Sequence, residues 1–220
     1  MRFTMPQPNQ LQLFVLASLA LLVVPGPAVL YIVARSMHQG RMAGIASVAG
    51  VQVGACVHIV AAAFGLSALL LSSALAYSAV KYLGAAYLIY LGLRQVLSRE
   101  APGAEAPRTA GAFEPRSLRR VFAQGVVVNV LNPKAALFFL AFLPQFVDPA
   151  RGSVAMQMLF FGALFIGLAM LSDGTYALLA GSLGNWLRHS PRFWRGQRFF
   201  ASAVYIGLGL TTALSGSSNH

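Results

Sequence analysis

Asp173 is the one acidic residue inside an apolar stretch long enough to cross a bilayer, and Lys134 is a base inside another. A charge at the centre of a spanning helix costs roughly 2.5–3.5 kcal/mol on insertion scales, so such residues mark functional positions. Asp173 could hold a substrate ammonium, or load and release a proton as the coupling site. Lys134 directly follows Pro133 and could meet a substrate carboxylate, the alternative being a stem that snorkels to the interface. A structural pair between the two is the third option. At ~1.5 Å per residue their expected depths differ by about 12 Å, so a direct bridge would need both side chains to reach. Asn129 and Asn132, three apart on one helix face, are either ligands for polar substrate groups or fillers for a broken backbone. His58 is a candidate proton relay or, more simply, a packed and hydrogen-bonded histidine.

The backbone around these residues is interrupted. Val24-Pro25-Gly26-Pro27-Ala28 lies near the middle of one apolar stretch, and Leu131-Asn132-Pro133-Lys134-Ala135 near the middle of another. Proline cannot donate to the carbonyl four residues back. Pro25 therefore frees the carbonyl of Leu21, Pro27 that of Val23, and Pro133 that of Asn129. At membrane depth each freed carbonyl must face a partner helix or a wet cavity. The half-helices that restart at Ala28 and Lys134 present a positive dipole end, suited to a carboxylate. Pro25, Gly26, Pro27, Asn129, Asn132, Pro133, Lys134 and Asp173 are thus the candidate substrate-binding set. Gly50 and Gly54, four apart, and Gly84 further on read as helix-packing glycines. Lys81, on the Gly84 face, fits a stem that snorkels to the headgroups.

The elements that must position these residues are transmembrane helices. Of 220 residues 57% are hydrophobic and 10% charged, and residues 3–34, 42–80, 152–172 and 199–220 carry no Asp, Glu, Lys or Arg. About 20 apolar residues cross a hydrocarbon core. The pattern predicts an all-α integral membrane protein with six spans: Leu11–Val33, Ile45–Leu66, Leu75–Val96, Val121–Phe142, Val154–Leu179 and Phe199–Leu214. Gly65–Ser73 and Pro144–Gly152 are expected short turns. The tract 98–120, rich in proline and arginine, is the one real linker. Two arginines fall between spans one and two (Arg35, Arg41), six at the end of span three and between three and four, starting at Arg94, and four between five and six, starting at Arg188. Those twelve of sixteen basic residues lie on one side. The positive-inside rule puts that side in the cytoplasm and both termini outside.

The same distribution explains the net charge of +11 without nucleic acid. The single cysteine, Cys56, excludes an internal disulfide. No metal or cofactor is expected, because no cluster of ligand-spaced His, Cys and Asp occurs. An intramembrane aspartyl protease needs two acids in the membrane, and Ala180-Gly181-Ser182-Leu183-Gly184 does not supply a Gly-x-Ser-x-Gly elbow. The expectation is a non-enzyme.

Spans one and four share the proline break, and spans three and six echo each other in Lys81-Tyr82-Leu83 and Arg198-Phe199-Phe200. Three spans per unit invert the second unit, so a 3+3 inverted repeat with broken helices one and four is expected. Repeat one covers about 11–96 and repeat two about 121–214 of a single transmembrane transporter domain. Pro25-Gly26-Pro27, Gly40-Arg41-x-x-Gly44, Lys81-Tyr82-Leu83-Gly84-Ala85-Ala86-Tyr87-Leu88 and Asn129-x-x-Asn132-Pro133-Lys134, in that order, resemble the LysE/RhtB family of amino-acid exporters. The resemblance implies a bacterial inner-membrane secondary transporter that expels amino acids or close derivatives, driven by the proton gradient. Its partners would be the amino-acid substrate, protons and the lipid bilayer, with homo-oligomers left open. Some members carry an acid in the second helix, where this chain reads Gly50-Val51-Gln52-Val53-Gly54. That departure favours neutral substrates of the homoserine, threonine or leucine type. The alternative is a metal-ion or small-solute efflux permease of the same superfamily.

Overall fold

The computed structural model describes residues 6–66 and 116–189, together with single positions at 79, 82–83, 86, 89–90, 93, 199, 202–203, 206–207 and 210. Most of expected spans three and six, the linker up to residue 115, Lys81 and Gly84 lie outside the described residues. Within them the chain is helical, with no strand. Helix α1 (Pro8–Val23) and helix α2 (Pro27–Gln39) meet at 53°. Pro25 and Pro27 supply no amide there, and Val24 and Gly26 adopt extended backbone between them. Gly40, at φ +84°, ends α2 and starts helix α3 (Arg41–Ala61), which runs on into a π turn (Ala62–Leu66). An L side chain would be strained at that φ, so glycine is what permits a one-residue corner.

Helix α4 (Leu118–Val130) breaks at Leu131 and Asn132 and restarts as helix α5 (Pro133–Leu137), followed by a π turn (Phe138–Phe142) and a 3-10 turn (Leu143–Phe146). The two halves are bent by 51°. A second 3-10 turn (Pro149–Arg151), tied by an Arg151–Asp148 pair at 3.3 Å, leads into helix α6 (Val154–His189). Among the described residues, two helices can cross a membrane by length and composition, Arg41–Gly65 and Val154–Ala180, or four if each bent pair is one span.

Burial is arranged for a lipid surround. Leu16, Leu83, Leu131 and Leu171 are 65–75% exposed, while Ser18, Arg35, Ser47, Gln52, Asn129, Asn132 and Asp173 are buried. An apolar exterior of this extent calls for a covering medium. Among the described residues the interior has two apolar clusters. Phe14, Phe138, Phe142, Phe146, Phe161 and Phe165 stack α1, the π turn and α6 together, with ring centroids 4.6–5.1 Å apart at the closest contacts. Ala28, Ile32, Val48, Val51 and Ala177 join α2, α3 and α6. Helices α3 and α4 touch backbone to backbone. A Cβ on Gly50 would stand 2.1 Å from the Phe122 carbonyl oxygen, one on Gly54 2.8 Å from that of Val126, and one on Gly125 2.8 Å from that of Ser47.

Two charge-based boundaries are corrected. Arg35 is not in a connecting loop: it sits inside α2, 3% exposed, donating to Gln39 Oε1 at 2.7 Å and Gln124 Oε1 at 2.8 Å. Two side chains, one from α2 and one from α4, thus give a guanidinium a polar berth that charge spacing alone would place in water. Arg188 likewise lies within α6, which runs ten residues beyond the expected end at Leu179. Helix α6 is about 54 Å long at 1.5 Å per residue, so its C-terminal turns extend past a ~30 Å hydrocarbon core.

Candidate substrate cavity

The three carbonyls that the prolines free each meet a polar side chain from elsewhere in the chain. Lys134 Nζ donates to Leu21 O at 2.9 Å and to Val24 O at 2.6 Å. Tyr176 Oη donates to Val23 O at 3.0 Å. His58 Nε2 donates to Asn129 O at 3.0 Å, its ring stacked on Phe139 at 6.2 Å between centroids. Leu21 O and Asn129 O also accept from the Val24 and Asn132 amides at 3.3 and 3.0 Å, so the side-chain donors complete the satisfaction of groups that would cost about 1–3 kcal/mol if buried without a partner.

Asn129 and Asn132 serve the second break from within. Asn129 Nδ2 donates to Val51 O at 2.8 Å, and Asn132 Nδ2 to Asn129 Oδ1 at 3.3 Å. Asn132 Oδ1 accepts from the Lys134 amide at 3.1 Å, which caps α5. One of the amides at that half-helix start is therefore already satisfied by a side chain. Gly26 lies beneath the Lys134 stem: a Cβ there would come within 3.0 Å of its Cδ.

Asp173, on α6, is 3% exposed and accepts from Gln52 Nε2 at 2.9 Å through Oδ2. Its other oxygen, Oδ1, is buried with no hydrogen-bond partner. A buried carboxylate oxygen left open is a place for a donor to arrive. Lys134 and Asp173 do face one space. A cavity of about 60 Å³ is lined by Lys134, Asp173, Gln52, Asn129, Asn132 and Gly26, and walled by Phe138, Phe139, Phe165, Ala28, Val29 and Val51. It lies where the two apolar clusters meet, and at ~10–15 Å³ per water it has room for about four waters.

Of the candidate set, Gly26, Asn129, Asn132, Lys134 and Asp173 line this cavity, and Pro25, Pro27 and Pro133 shape its backbone without lining it. His58 stands behind Asn129 rather than on the wall, Gly50 and Gly54 are in the α3–α4 contact, and Gly84 lies outside the described residues. Gln52 and Tyr176 join the site without having been candidates from the sequence. A signal existed for both: Gln52 is a lone amide in a span, and Tyr176 lies three residues from Asp173 on the same helix face.

Comparison with known proteins follows the same lines. The profile of the family described as LysE type translocator matches residues 19–216. A homoserine/homoserine lactone efflux protein of Salmonella typhimurium is 33% identical over 207 residues, covering 94% of this chain and 96% of its own length. A leucine efflux protein of Salmonella choleraesuis is 29% identical over 136 residues, 61% of this chain and 62% of its own. An uncharacterized membrane protein of Vibrio cholerae is 29% identical over 201 residues, 91% and 94% respectively. No solved structure matches the chain.

Proposed function

The chain belongs to the LysE type translocator family, and on that premise we propose that it exports neutral amino acids across the bacterial inner membrane. The observation that carries this reading is the cavity itself. It offers one carboxylate, one ammonium and three side-chain amides, which matches the paired charges of an amino-acid backbone and leaves no second acid for a cationic side chain. The efflux relatives of homoserine and leucine type support the same substrate class. In this reading Asp173 Oδ1 receives the substrate ammonium, Lys134 meets the carboxylate, and the amides of Gln52, Asn129 and Asn132 orient the rest. The apolar walls then take a short side chain.

A proton gradient supplies the energy in this proposal, with Asp173 as the group that cycles and His58 as a candidate relay behind Asn129. The two bent pairs are two broken spans, related as helices one and four of an inverted 3+3 repeat within one transmembrane domain. The arginine-rich connections face the cytoplasm and both termini face outward. A metal-ion permease fits the cavity less well, because the Lys134 ammonium repels a cation at the same wall.

Expression in a strain lacking its own exporters tests the reading. The chain should raise tolerance to homoserine, threonine or leucine several-fold and leave tolerance to divalent metal salts unchanged. Protection against a metal salt alone would replace amino-acid export with the permease reading.

The breaks carry a separate prediction. Pro27→Ala restores an amide that can donate to Val23 O and displace Tyr176, and Pro133→Ala does the same at Asn129 O against His58. Each healed helix removes a bend from the cavity wall. Both variants should reach the membrane at near wild-type levels and lose most export, read as flux per inserted protein. Wild-type flux in both would reduce the prolines to incidental kinks.

A further inference from the structure

Lys134 holds together parts of the chain that are 110 residues or more apart. Its ammonium spans Leu21 O and Val24 O, the last carbonyls before the α1–α2 elbow. Its stem passes over Gly26, where a side chain would crowd it. The same ammonium lines the cavity that Asp173 faces. Both acceptors are neutral, so an arriving carboxylate adds a full charge–charge attraction to the charge-assisted hydrogen bond that each carbonyl already makes. A carboxylate arriving in the cavity therefore outcompetes either carbonyl. The ammonium has a third N–H, but drawing the whole group toward the carboxylate lengthens its bonds of 2.9 and 2.6 Å to α1. Leu21 O then keeps only the Val24 amide at 3.3 Å, and Val24 O, left without the Lys134 ammonium, must find water or a new partner by moving.

We propose that the substrate carboxylate draws Lys134 off the Leu21 and Val24 carbonyls and so releases the α1–α2 elbow, which makes carboxylate recognition the trigger of the conformational change. This rests on the amino-acid export reading and adds to it a chemical requirement. A ligand can drive a conformational change only by binding the two states differently. An amino acid does so here through its anionic carboxylate. Its methyl ester or amide, with the same ammonium and side chain, lacks the anion and leaves Lys134 where it is. Lys134 is in this account a positioning residue for α1 as well as a substrate contact.

The test uses thiol labelling at the elbow alongside transport. Val24 is 3% exposed, so a Val24→Cys variant, in a Cys56→Ser background, reports opening by its rate of reaction with a soluble maleimide in proteoliposomes. Leucine should raise that rate by about tenfold, the scale of one charge-assisted hydrogen bond, and leucine methyl ester should leave it at baseline. Adding Lys134→Met should give fast labelling with no leucine present, because the elbow has lost its pin. A residue that only binds substrate would leave the unliganded rate slow. Equal rises with leucine and its ester, or slow unliganded labelling in the Lys134→Met protein, would overturn the trigger. Should the Lys134→Met protein fail to reach the membrane, the contrast between acid and ester in the Val24→Cys protein decides. Leucine counterflow in the wild-type protein separates the two layers. Exchange of leucine without any labelling response removes the trigger and leaves export standing, whereas no exchange of any neutral amino acid removes both.

Discussion

Asp173→Asn should abolish uphill export driven by a proton gradient while sparing part of the downhill exchange of substrate. The carboxylate is buried on α6, lines the cavity, takes one hydrogen bond from Gln52 and leaves Oδ1 without a hydrogen-bond partner. Asparagine keeps the shape and can still bond Gln52, but it cannot load and release a proton. The amide oxygen of asparagine can still accept from the substrate ammonium, more weakly than the carboxylate, so exchange survives in part where energy coupling does not. Asp173→Glu keeps a titrating group one methylene further out and should retain partial uphill activity. The measurement is accumulation of labelled amino acid in inverted vesicles, with and without an imposed proton gradient. Loss of exchange and uphill export together would assign Asp173 to the ammonium alone. Gradient-driven export of normal size in the Asn variant would remove Asp173 from the mechanism.

Gly50→Val should have the largest effect on the folded protein. A Cβ at Gly50 would lie 2.1 Å from the Phe122 carbonyl oxygen, 2.9 Å from its carbon and 3.2 Å from Gly125 Cα, all backbone atoms of α4 that no rotamer change can move. Overpacking a well-filled interior costs typically 1–3 kcal/mol, and a clash with backbone belongs at or above the top of that range. Helices α3 and α4 would have to separate, which pulls Val51 O away from Asn129 Nδ2 and His58 away from Asn129 O. The yield of monodisperse protein in detergent should fall several-fold. Gly167→Ala, where an added Cβ meets no atom within 4 Å, should match the wild type. Equal yields from Gly50→Val and Gly167→Ala would mean that the α3–α4 contact is looser than the backbone positions indicate.

The contrast between these two sites shows what one-dimensional reasoning reaches. Proline chemistry names the carbonyls of Leu21, Val23 and Asn129 as the groups that lose their helical donors, since the missing amide is a property of the residue. It does not name who replaces the donor. Lys134, Tyr176 and His58 are separated from those carbonyls by 113, 153 and 71 residues, and only packing brings them there. The glycine spacing of Gly50 and Gly54 marks a surface for close approach but not the opposing Gly125, which carries no periodic partner of its own. Arg35 was misplaced for a related reason. Charge fixes span boundaries only where water is the sole solvent for the charge, and Gln39 and Gln124 provide another. An amide in a span, such as Gln52, signals less in one dimension than an acid does, although its bond to Asp173 is what orients the carboxylate.

Counterflow in proteoliposomes tests the central claim most directly. Purified protein is reconstituted in vesicles preloaded with one unlabelled amino acid, and uptake of a labelled one is followed without any gradient of protons. Homoserine, threonine and leucine type substrates should exchange well above protein-free vesicles, and lysine and arginine should not, because the cavity offers Asp173 as its single carboxylate. Exchange confined to lysine and arginine, or none with any amino acid, would contradict the account.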